Sequence, residues 1–315
     1  MLYAYRIDNR RLVLLAPGQG LEQAKWIDLY RPLPDQVAAM VALGVVIPTL
    51  EDMEEIEMSN RLYREAGTDV MTVVLPGQTP DGSSIAGPVT FILGHGRLVT
   101  VRHHVPRPFE TFAERADRSS TGCSSYLRLF LGLVEEIVAR LADHLEMVGK
   151  ALDHVSAQIF SDGPGQLRAA LEGIGRQGEM LARVRLGLLT VERMLSTFSL
   201  WSEDHGEGGT LKSHIKGLMR DIQALEVHAD FLSGRVSLAT DTTLGMVNLE
   251  QNKTVRIVSV VAALFLPPTL IASIYGMNFD VMPELAQPWG YPAALGAMVA
   301  SAGATWAYFK WKGWM

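Results

Sequence analysis

The sequence predicts an α+β cytoplasmic domain, made of an α/β N-terminal unit and long antiparallel helices, that a long stalk helix joins to a two-helix transmembrane hairpin. Three observations lead to this fold class. Short apolar runs between turn residues fill the chain up to Pro108, helical periodicity begins at Phe109, and two uncharged apolar runs close the chain. We therefore expect three parts, namely residues 1–108, 109–253 and 254–315.

The composition favours a large cytoplasmic part and a small membrane part. Of the 315 residues, 48% are hydrophobic, which is high for a soluble protein and low for a chain that lies mostly in a membrane. The formal net charge of -6 provides no general basic surface for nucleic acid and favours cations as partners. A single cysteine, Cys123, excludes an internal disulfide framework and a multi-cysteine metal site. The first 28 residues lack a basic stretch followed by an apolar core, so we expect no signal peptide.

Turn residues divide the N-terminal unit into short elements. Gly94-His95-Gly96 predicts a hairpin, and the stretch 76–88, rich in Gly, Pro and Ser, predicts a surface loop. The remaining elements are predicted strands at residues 2–7, 11–16, 71–75 and 89–101 and predicted helices at 34–43 and 51–65.

Three long helices are predicted after this unit. Apolar residues at three- and four-residue steps predict two antiparallel helices over 123–160 and 166–201. A third helix over 211–275 would be roughly 95 Å long at about 1.5 Å per residue. Its heptad predicts packing against neighbouring helices and, in our interpretation, some oligomer. The heptad positions are Leu211, Ile215, Leu218, Ile222, Leu225, Ala229, Leu232, Val236, Ala239, Thr243 and Met246.

Two uncharged runs predict the membrane hairpin. Residues 257–279 and 285–309 carry no charge, which gives spans at about 255–275 and 291–309 and an external loop over 276–290. Lys and Arg residues flank the spans while the loop between them carries only acidic charges, so both termini are expected in the cytoplasm. Pro267-Pro268 is expected to bend the first span.

A second stripe follows the third helix at steps of seven, four and three residues. Its small, polar or slim side chains lie on one side of the helix and would line a central tunnel if several copies surrounded an axis. The alternative is a buried helix–helix face, because small residues also favour close packing in membranes. The stripe consists of Asp241, Asn248, Asn252, Val255, Ser259, Ala262, Leu266, Thr269 and Ser273.

The segment between the spans carries a family resemblance. The string YGMNFDVMPEL over 275–285, the Trp-Gly-Tyr-Pro over 289–292 and the basic-aromatic end over 308–312 resemble the CorA family of magnesium and cobalt channels. The Gly-Met-Asn tripeptide is weak by itself, but its position between two apolar runs is specific. A coarse match extends over the whole chain. The resemblance implies a funnel-shaped homopentamer in the bacterial inner membrane.

The resemblance also implies roles for individual residues. Asn278 forms a ring of amide oxygens at the outer mouth, Gly276 allows a close turn of the backbone, and Met277 packs without binding the ion. Asn252 supplies a deeper ring, Thr269 and Ser273 fall where the family presents oxygens or a small residue, and Asp241 lies at the inner exit. The remaining assignments are a hydrophobic gate at Val255, Val258 and Leu266 and a negative outer mouth at Asp280 and Glu284.

Magnesium chemistry fits this set of residues. Mg²⁺ gives up its waters reluctantly, so a pore that passes it quickly should hold the hydrated ion through neutral oxygens. The chain has no GxxxxGK[ST] loop for ATP, and we expect passive uptake driven by the membrane potential. No cofactor is expected beyond the transported and regulatory Mg²⁺, with Co²⁺ as a further cargo.

Acidic residues crowd the stretch 51–65, and a solvated helix face is one reading of them. The resemblance implies instead that Glu51 and Asp52 bind regulatory magnesium against the next subunit's stalk. Asp221 is the nearest candidate for the stalk partner. At low internal magnesium, repulsion between these carboxylates would open the ring.

Other functional classes are less well supported. The histidines show no zinc-ligand spacing, and no Ser/His/Asp or Cys/His arrangement suggests an enzyme. One alternative is a zinc or nickel/cobalt transporter of the same superfamily. Another is a membrane-anchored structural or signalling protein without a pore, which would have no need for Thr269, Ser273 and Asn278. The expected partners are copies of the chain itself, the lipid bilayer and divalent cations.

Overall fold

The structure is a computed structural model that describes residues 1–16, 20–55, 57, 61–65, 67–160, 164–201, 208–278 and 282–314. The chain divides into two compact units. One unit comprises Met1–Phe160 with Ala169–Thr240, and the other comprises Ser161–Arg168 with Asp241–Met315. The predicted succession of an α/β N-terminal region, a long helix and a C-terminal helix is confirmed.

The first unit is built on a seven-stranded sheet in the order β2-β1-β3-β7-β6-β5-β4. The central pair β3 and β7 is parallel, and the other neighbours are antiparallel. The strands are β1 Leu2–Asp8, β2 Arg11–Leu14, β3 Trp26–Tyr30, β4 Leu62–Glu65, β5 Thr68–Gln78, β6 Ser84–Gly94 and β7 Arg97–Arg102.

The sequence did not predict β3, because its central aspartate hides the pattern. Asp28 is buried and accepts hydrogen bonds from the Arg102 guanidinium, at 2.9 Å from Nη2, and from the Thr100 hydroxyl at 2.8 Å. These hydrogen bonds and the ion pair with Arg102 offset the free-energy cost of burying the carboxylate. A charged residue in the middle of a buried strand could be recognised only from its partners on β7.

Two predictions in the N-terminal unit are wrong. The predicted helix over 51–65 is a single turn and a half, α2 Leu50–Glu54, and the later part forms strand β4, which pairs with β5. The predicted loop over 76–88 belongs largely to the β5–β6 hairpin. Pro76 lies beyond the last β4 partner and Pro88 lies beyond the β7 ladder, so each proline has a paired strand on one side only.

The hairpin predicted at Gly94-His95-Gly96 is confirmed as the connection between β6 and β7. His95 and Gly96 both have positive φ, 50° and 70°. This is the left-handed pair of residues that a tight hairpin turn requires.

Seven helices complete the described chain: α1 Pro34–Ala42, α2, α3 Pro108–Arg115, α4 Tyr126–Ile159, α5 Pro164–Trp201, α6 Gly208–Tyr275 and α7 Gly290–Trp311. Helix α4 begins three residues later than predicted because the Ser125 hydroxyl accepts a hydrogen bond from Arg128 N at its first turn. Helix α5 begins two residues earlier, at Pro164, where a proline fits the first turn.

Helix α6 is continuous over 68 residues and contains Pro267 and Pro268. Its predicted heptad is largely buried from Leu211 to Ala239 and belongs to the core formed with α4 and α5. Ion pairs join the same helices, from Arg235 to Asp153 at 2.6 Å and from Arg185 to Asp230 at 2.9 Å. The predicted packing of the heptad against neighbouring helices is confirmed within one chain, so the heptad by itself is no evidence for an oligomer.

The second unit contains the end of α6 and helix α7. Within the described residues, one helix is long and apolar enough to cross a membrane, and it is the segment Leu211–Tyr275 of α6. Helix α7 covers the second predicted span and is rich in Ala and Gly, with Tyr and Trp toward its end. The two helices come together at the end of α6, where Tyr275 and Gly276 line one cavity with Tyr291 and Leu295.

Candidate functional site

The predicted polar stripe of α6 is exposed along its whole length. All nine positions from Asp241 to Ser273 are solvent-exposed in the single chain, including the apolar Val255 at 63% and Leu266 at 67%. Large apolar side chains that stay this exposed on a regular helix lack a partner within their own chain.

A different stripe of α6 is covered within the second unit. Its positions are the least exposed of this segment and follow the steps three and four of one helix face. At about 100° per residue, the centre of this covered face lies roughly 150° from the centre of the polar stripe. The polar stripe is therefore not a face that the chain buries against itself. The covered positions are Val260, Ala263, Leu264, Pro267, Pro268 and Ile271.

Two of the three hydroxyls in the membrane part of the stripe turn their hydrogens away from solvent. Ser259 Oγ donates to Val255 O at 2.8 Å, and Thr269 Oγ1 donates to Phe265 O at 2.7 Å. Each hydroxyl has one hydrogen and two lone pairs, so these bonds use up the only donor. The oxygens therefore present acceptors along the stripe.

The Gly-Met-Asn tripeptide closes the helix. Gly276 N donates to Ala272 O at 3.0 Å, and Met277 N donates to Ile274 O at 3.2 Å, which satisfies carbonyls of the last turn. A Cβ at Gly276 would lie 3.2 Å from Ala272 O, so the position favours glycine for lack of space. Asn278 follows this turn and is exposed, and Met277 is half exposed.

The three predicted gate residues are all exposed but do not share one line. Val255 and Leu266 lie within the polar stripe, whereas Val258 lies about 60° from its centre at about 100° per residue. The structure therefore brings two of the three onto the stripe and puts the third at its border.

The predicted pore residues outside the gate are exposed wherever the structure describes their side chains. Asp241 and Asn252 are exposed on the stripe, and Thr269 and Ser273 are exposed on the last turns before Gly276. Asp280 lies outside the described residues. Glu284 falls in the short 3-10 segment Pro283–Ala286, and its side chain lies outside the described part as well.

The regulatory candidates lie at two places in the first unit. Glu51 and Asp52 form the first turn of α2, and Asp221 is exposed on α6. Asp52 Oδ2 accepts from Thr49 N at 2.9 Å and from Thr49 Oγ1 at 2.7 Å, and these hydrogen bonds lower the pKa of Asp52. No group of three or more His, Cys, Asp or Glu residues that could hold a metal occurs in the described ranges of one chain.

The sequence did not predict the capping role of Asp52 or the ordered end of α7. Thr49-x-x-Asp52 is a recognisable capping box and could have been read as one. At the end of α7, Lys310 Nζ lies 4.7 Å from the centre of the Trp306 ring, and Lys312 Nζ lies 5.9 Å from that of Tyr308. Both pairs are four residues apart, the spacing that places side chains together on a helix.

Comparison with known proteins gives a consistent result. Residues 22–311 match the family model described as CorA-like Mg²⁺ transporter protein. The chain is 33% identical over 321 residues to the magnesium transport protein CorA of Pasteurella multocida (strain Pm70), and 33% identical over 320 residues to that of Escherichia coli (strain K12). Each alignment covers 100% of both chains.

The fold is also shared with a solved structure. The complete structure of the CorA magnesium transporter from Methanocaldococcus jannaschii has a TM-score of 0.75 to this chain, and the match covers 100% of this chain and 99% of the other. At 16% identity this similarity concerns the fold alone.

Proposed function

The chain belongs to the family of CorA-like Mg²⁺ transporter proteins, and from this premise we propose that it is a passive magnesium uptake channel gated by cytoplasmic magnesium. As a CorA-like Mg²⁺ transporter protein, the chain is not an enzyme. The observation that carries the proposal is the exposed stripe of α6, which leads from Asp241 to the Gly-Met-Asn tripeptide.

Five copies of α6 surround the conduit in this proposal, with the polar stripes turned to a common axis. A stripe that remains open in the single chain, roughly opposite the covered face, suits a wall that only other copies can complete. Burial of Val255 and Leu266 between copies would also remove their exposure to water.

Neutral acceptors suit the cargo. The waters held by Mg²⁺ are donors, so a wall that offers lone pairs binds the hydrated ion without stripping it. Ser259 and Thr269 offer such oxygens because their hydrogens are bound to the backbone. In this proposal Asn278 and Asn252 add rings of amide oxygens, Ser273 widens the outer part, and Asp241 marks the inner exit. Carboxylates at the narrowest point would hold the ion too long.

The proposed gate is the apolar part of the same stripe. Val255 and Leu266, with Val258 at the border, form rings that close the conduit by excluding water when the helices approach. Asp280 and Glu284 would attract cations to the outer opening.

The membrane potential supplies the driving force. Inward movement of charge is favoured by about 2.3 kcal/mol per charge per 100 mV, which amounts to about 7 kcal/mol for a divalent ion at about 150 mV. We place the protein in the bacterial inner membrane with both termini in the cytoplasm, because Lys and Arg flank the two spans on that side.

The test is ion flux into liposomes that contain the purified protein and a magnesium-sensitive dye, with a potential negative inside. We expect Mg²⁺ uptake by the wild type and its loss, by tenfold or more, in Asn278→Ala. Gln287→Ala is the control, because it removes another exposed amide from the segment between α6 and α7. Undiminished flux in a correctly inserted Asn278→Ala protein would contradict the role of Asn278 in the pore, and absence of Mg²⁺ uptake by the wild type would favour a membrane anchor.

Competition in the same assay identifies the main ion. We expect Mg²⁺ to be taken up fastest, with Co²⁺ as a slower cargo that competes for the same path. Faster uptake of Zn²⁺, Ni²⁺ or Co²⁺ than of Mg²⁺ would instead indicate a zinc or nickel/cobalt transporter of the same superfamily.

A further inference from the structure

A cavity of about 230 Å³ lies in the first unit, well apart in sequence from the candidate pore. It is bounded by the β5–β6 hairpin, by the segment that follows β7 and by helices α3, α4 and α5. The polar side chains that line it are Arg107, Glu110, Arg140, His144 and Arg183, together with Gln78 and Ser84. Three guanidinium groups and an imidazole thus share one cavity with a single carboxylate.

The two innermost guanidinium groups are largely withdrawn from water. The Arg140 side chain is 32% exposed and that of Arg183 is 20% exposed. Their acidic neighbours lie on the same helices, Asp143 at 3.5 Å from Arg140 and Glu179 against Arg183. These acidic side chains are mostly exposed and do not line the cavity, where three guanidinium groups face one carboxylate.

Two nitrogen atoms of this wall are buried without a hydrogen-bond partner. Within the described part of the chain, neither Arg140 Nε nor His144 Nδ1 meets an acceptor or donor. Buried polar nitrogens are nearly always satisfied in native proteins, and leaving one unpaired costs free energy. Both belong to side chains that line the same cavity, so a small shift of these side chains would bring both nitrogens to one ligand.

We propose that this cavity binds a small tetrahedral dianion of the phosphate type. Guanidinium groups match phosphate oxygens in charge and in geometry, and Arg Nε–H can only donate. The volume equals that of roughly eight water molecules, which is below the usual range for drug-sized ligands. A single phosphate group fits this space better than a nucleotide does. The site does not depend on the proposed pore.

The test is calorimetric titration of the purified full-length protein in detergent with inorganic phosphate, in buffer that contains a chelator and no magnesium. We expect saturable binding. Replacing a charged hydrogen-bond donor, in Arg140→Gln or Arg183→Gln, should weaken binding and raise the dissociation constant for phosphate by roughly ten- to a hundredfold. Arg185→Gln is the matched control, because this α5 arginine pairs with Asp230 at 2.9 Å and does not line the cavity.

A third variant separates loss of binding from loss of folding. Arg107 is exposed, so Arg107→Gln should fold like the wild type and still bind phosphate more weakly. The absence of saturable binding at millimolar phosphate would overturn the proposal, as would equal affinity in wild type, Arg107→Gln and Arg140→Gln. Because no ion flux is measured, failure here would leave the channel proposal standing.

Discussion

His104 shows how one buried residue makes the first unit sensitive to pH. Its ring is 1% exposed, Nε2 lies 2.9 Å from Leu75 O, and Gly77 and Gly87 have no room for a Cβ beside it. Burial lowers the pKa of His104 to about 4. The folded protein therefore keeps this imidazole neutral under conditions in which an unfolded chain would protonate it.

We predict that this histidine destabilises the fold in acid. The unfolded chain binds the proton near pH 6.5 and the folded chain near pH 4, so the free energy of unfolding falls as the pH drops through this window, by about 3 kcal/mol at most. Thermal unfolding at pH 7 and pH 4.5 should show a smaller loss for His104→Gln than for the wild type. Equal losses in both proteins would contradict the assignment.

In the first unit, the roles of individual residues were harder to predict from the sequence than the helices and strands. Asp28 and His104 are buried polar groups whose partners lie far along the chain, on β7 and β5. From the sequence spacing alone, Asp52 could be one of several exposed acidic residues or a capping residue. The structure shows that its carboxylate caps α2. Roles of this kind depend on neighbours that only the folded chain brings together.

At the scale of elements, helix α6 presents a buried face and an open face side by side. Leu232 is 1% exposed and packs in the core of the first unit, whereas the adjacent Phe231 is 61% exposed. Phe231 continues the line of Asp241 and Asn248 at the same steps of three and four residues. The proposed contact between copies thus extends from the membrane part into the first unit.

We predict opposite results for the two neighbours. Leu232→Ala should lower the free energy of unfolding by about 2–5 kcal/mol, because it leaves a cavity in the core. Phe231→Ala should leave the circular dichroism spectrum unchanged and weaken assembly, as measured by light scattering after size-exclusion chromatography. If Phe231→Ala assembles like the wild type, this part of α6 does not lie between copies.

A second element-scale prediction concerns the gate. Leu266→Asn should increase Mg²⁺ flux severalfold under conditions that close the wild-type channel, because an amide wets an apolar constriction. Phe265→Leu is the control, since Phe265 is equally exposed but lies about 100° around the helix. If both variants leak alike, the closing residue lies elsewhere.

Most elements were predictable from apolar spacing, and the failures have identifiable causes. The apolar periodicity of α4, α5 and α6 predicts where each of these helices begins and ends to within a few residues. Segment 51–65 failed because its acidic residues favour a helix in isolation, while β4 gains its stability from pairing with β5. The polar stripe was visible from its spacing, but which face of α6 the chain covers depends on tertiary packing.

For the molecule as a whole, we predict that internal magnesium closes the channel through α2 and α6. Glu51→Gln with Asp52→Asn removes both charges of the first α2 turn while keeping an oxygen that Thr49 can bond. The internal Mg²⁺ concentration for half-inhibition of flux should rise by about tenfold or more. Asp221→Asn should give a rise in the same direction.

The control for this prediction is Asp35→Asn, which removes an exposed carboxylate from the first turn of α1. It should leave inhibition unchanged. Inhibition that is identical in wild type and in the Glu51/Asp52 variant would show that regulation does not use these carboxylates.

The hydroxyl hydrogens of Ser259 and Thr269 are bound to backbone carbonyls, and this affects which ions the proposed conduit would exclude. Chloride requires donors around it and would meet only lone pairs at these two hydroxyls, so this uncharged stretch would still favour cations over anions. Neither hydroxyl titrates between acid and alkaline media. A bacterium that moves from neutral to acidic surroundings would therefore retain the same preference for cations at this stretch of the wall.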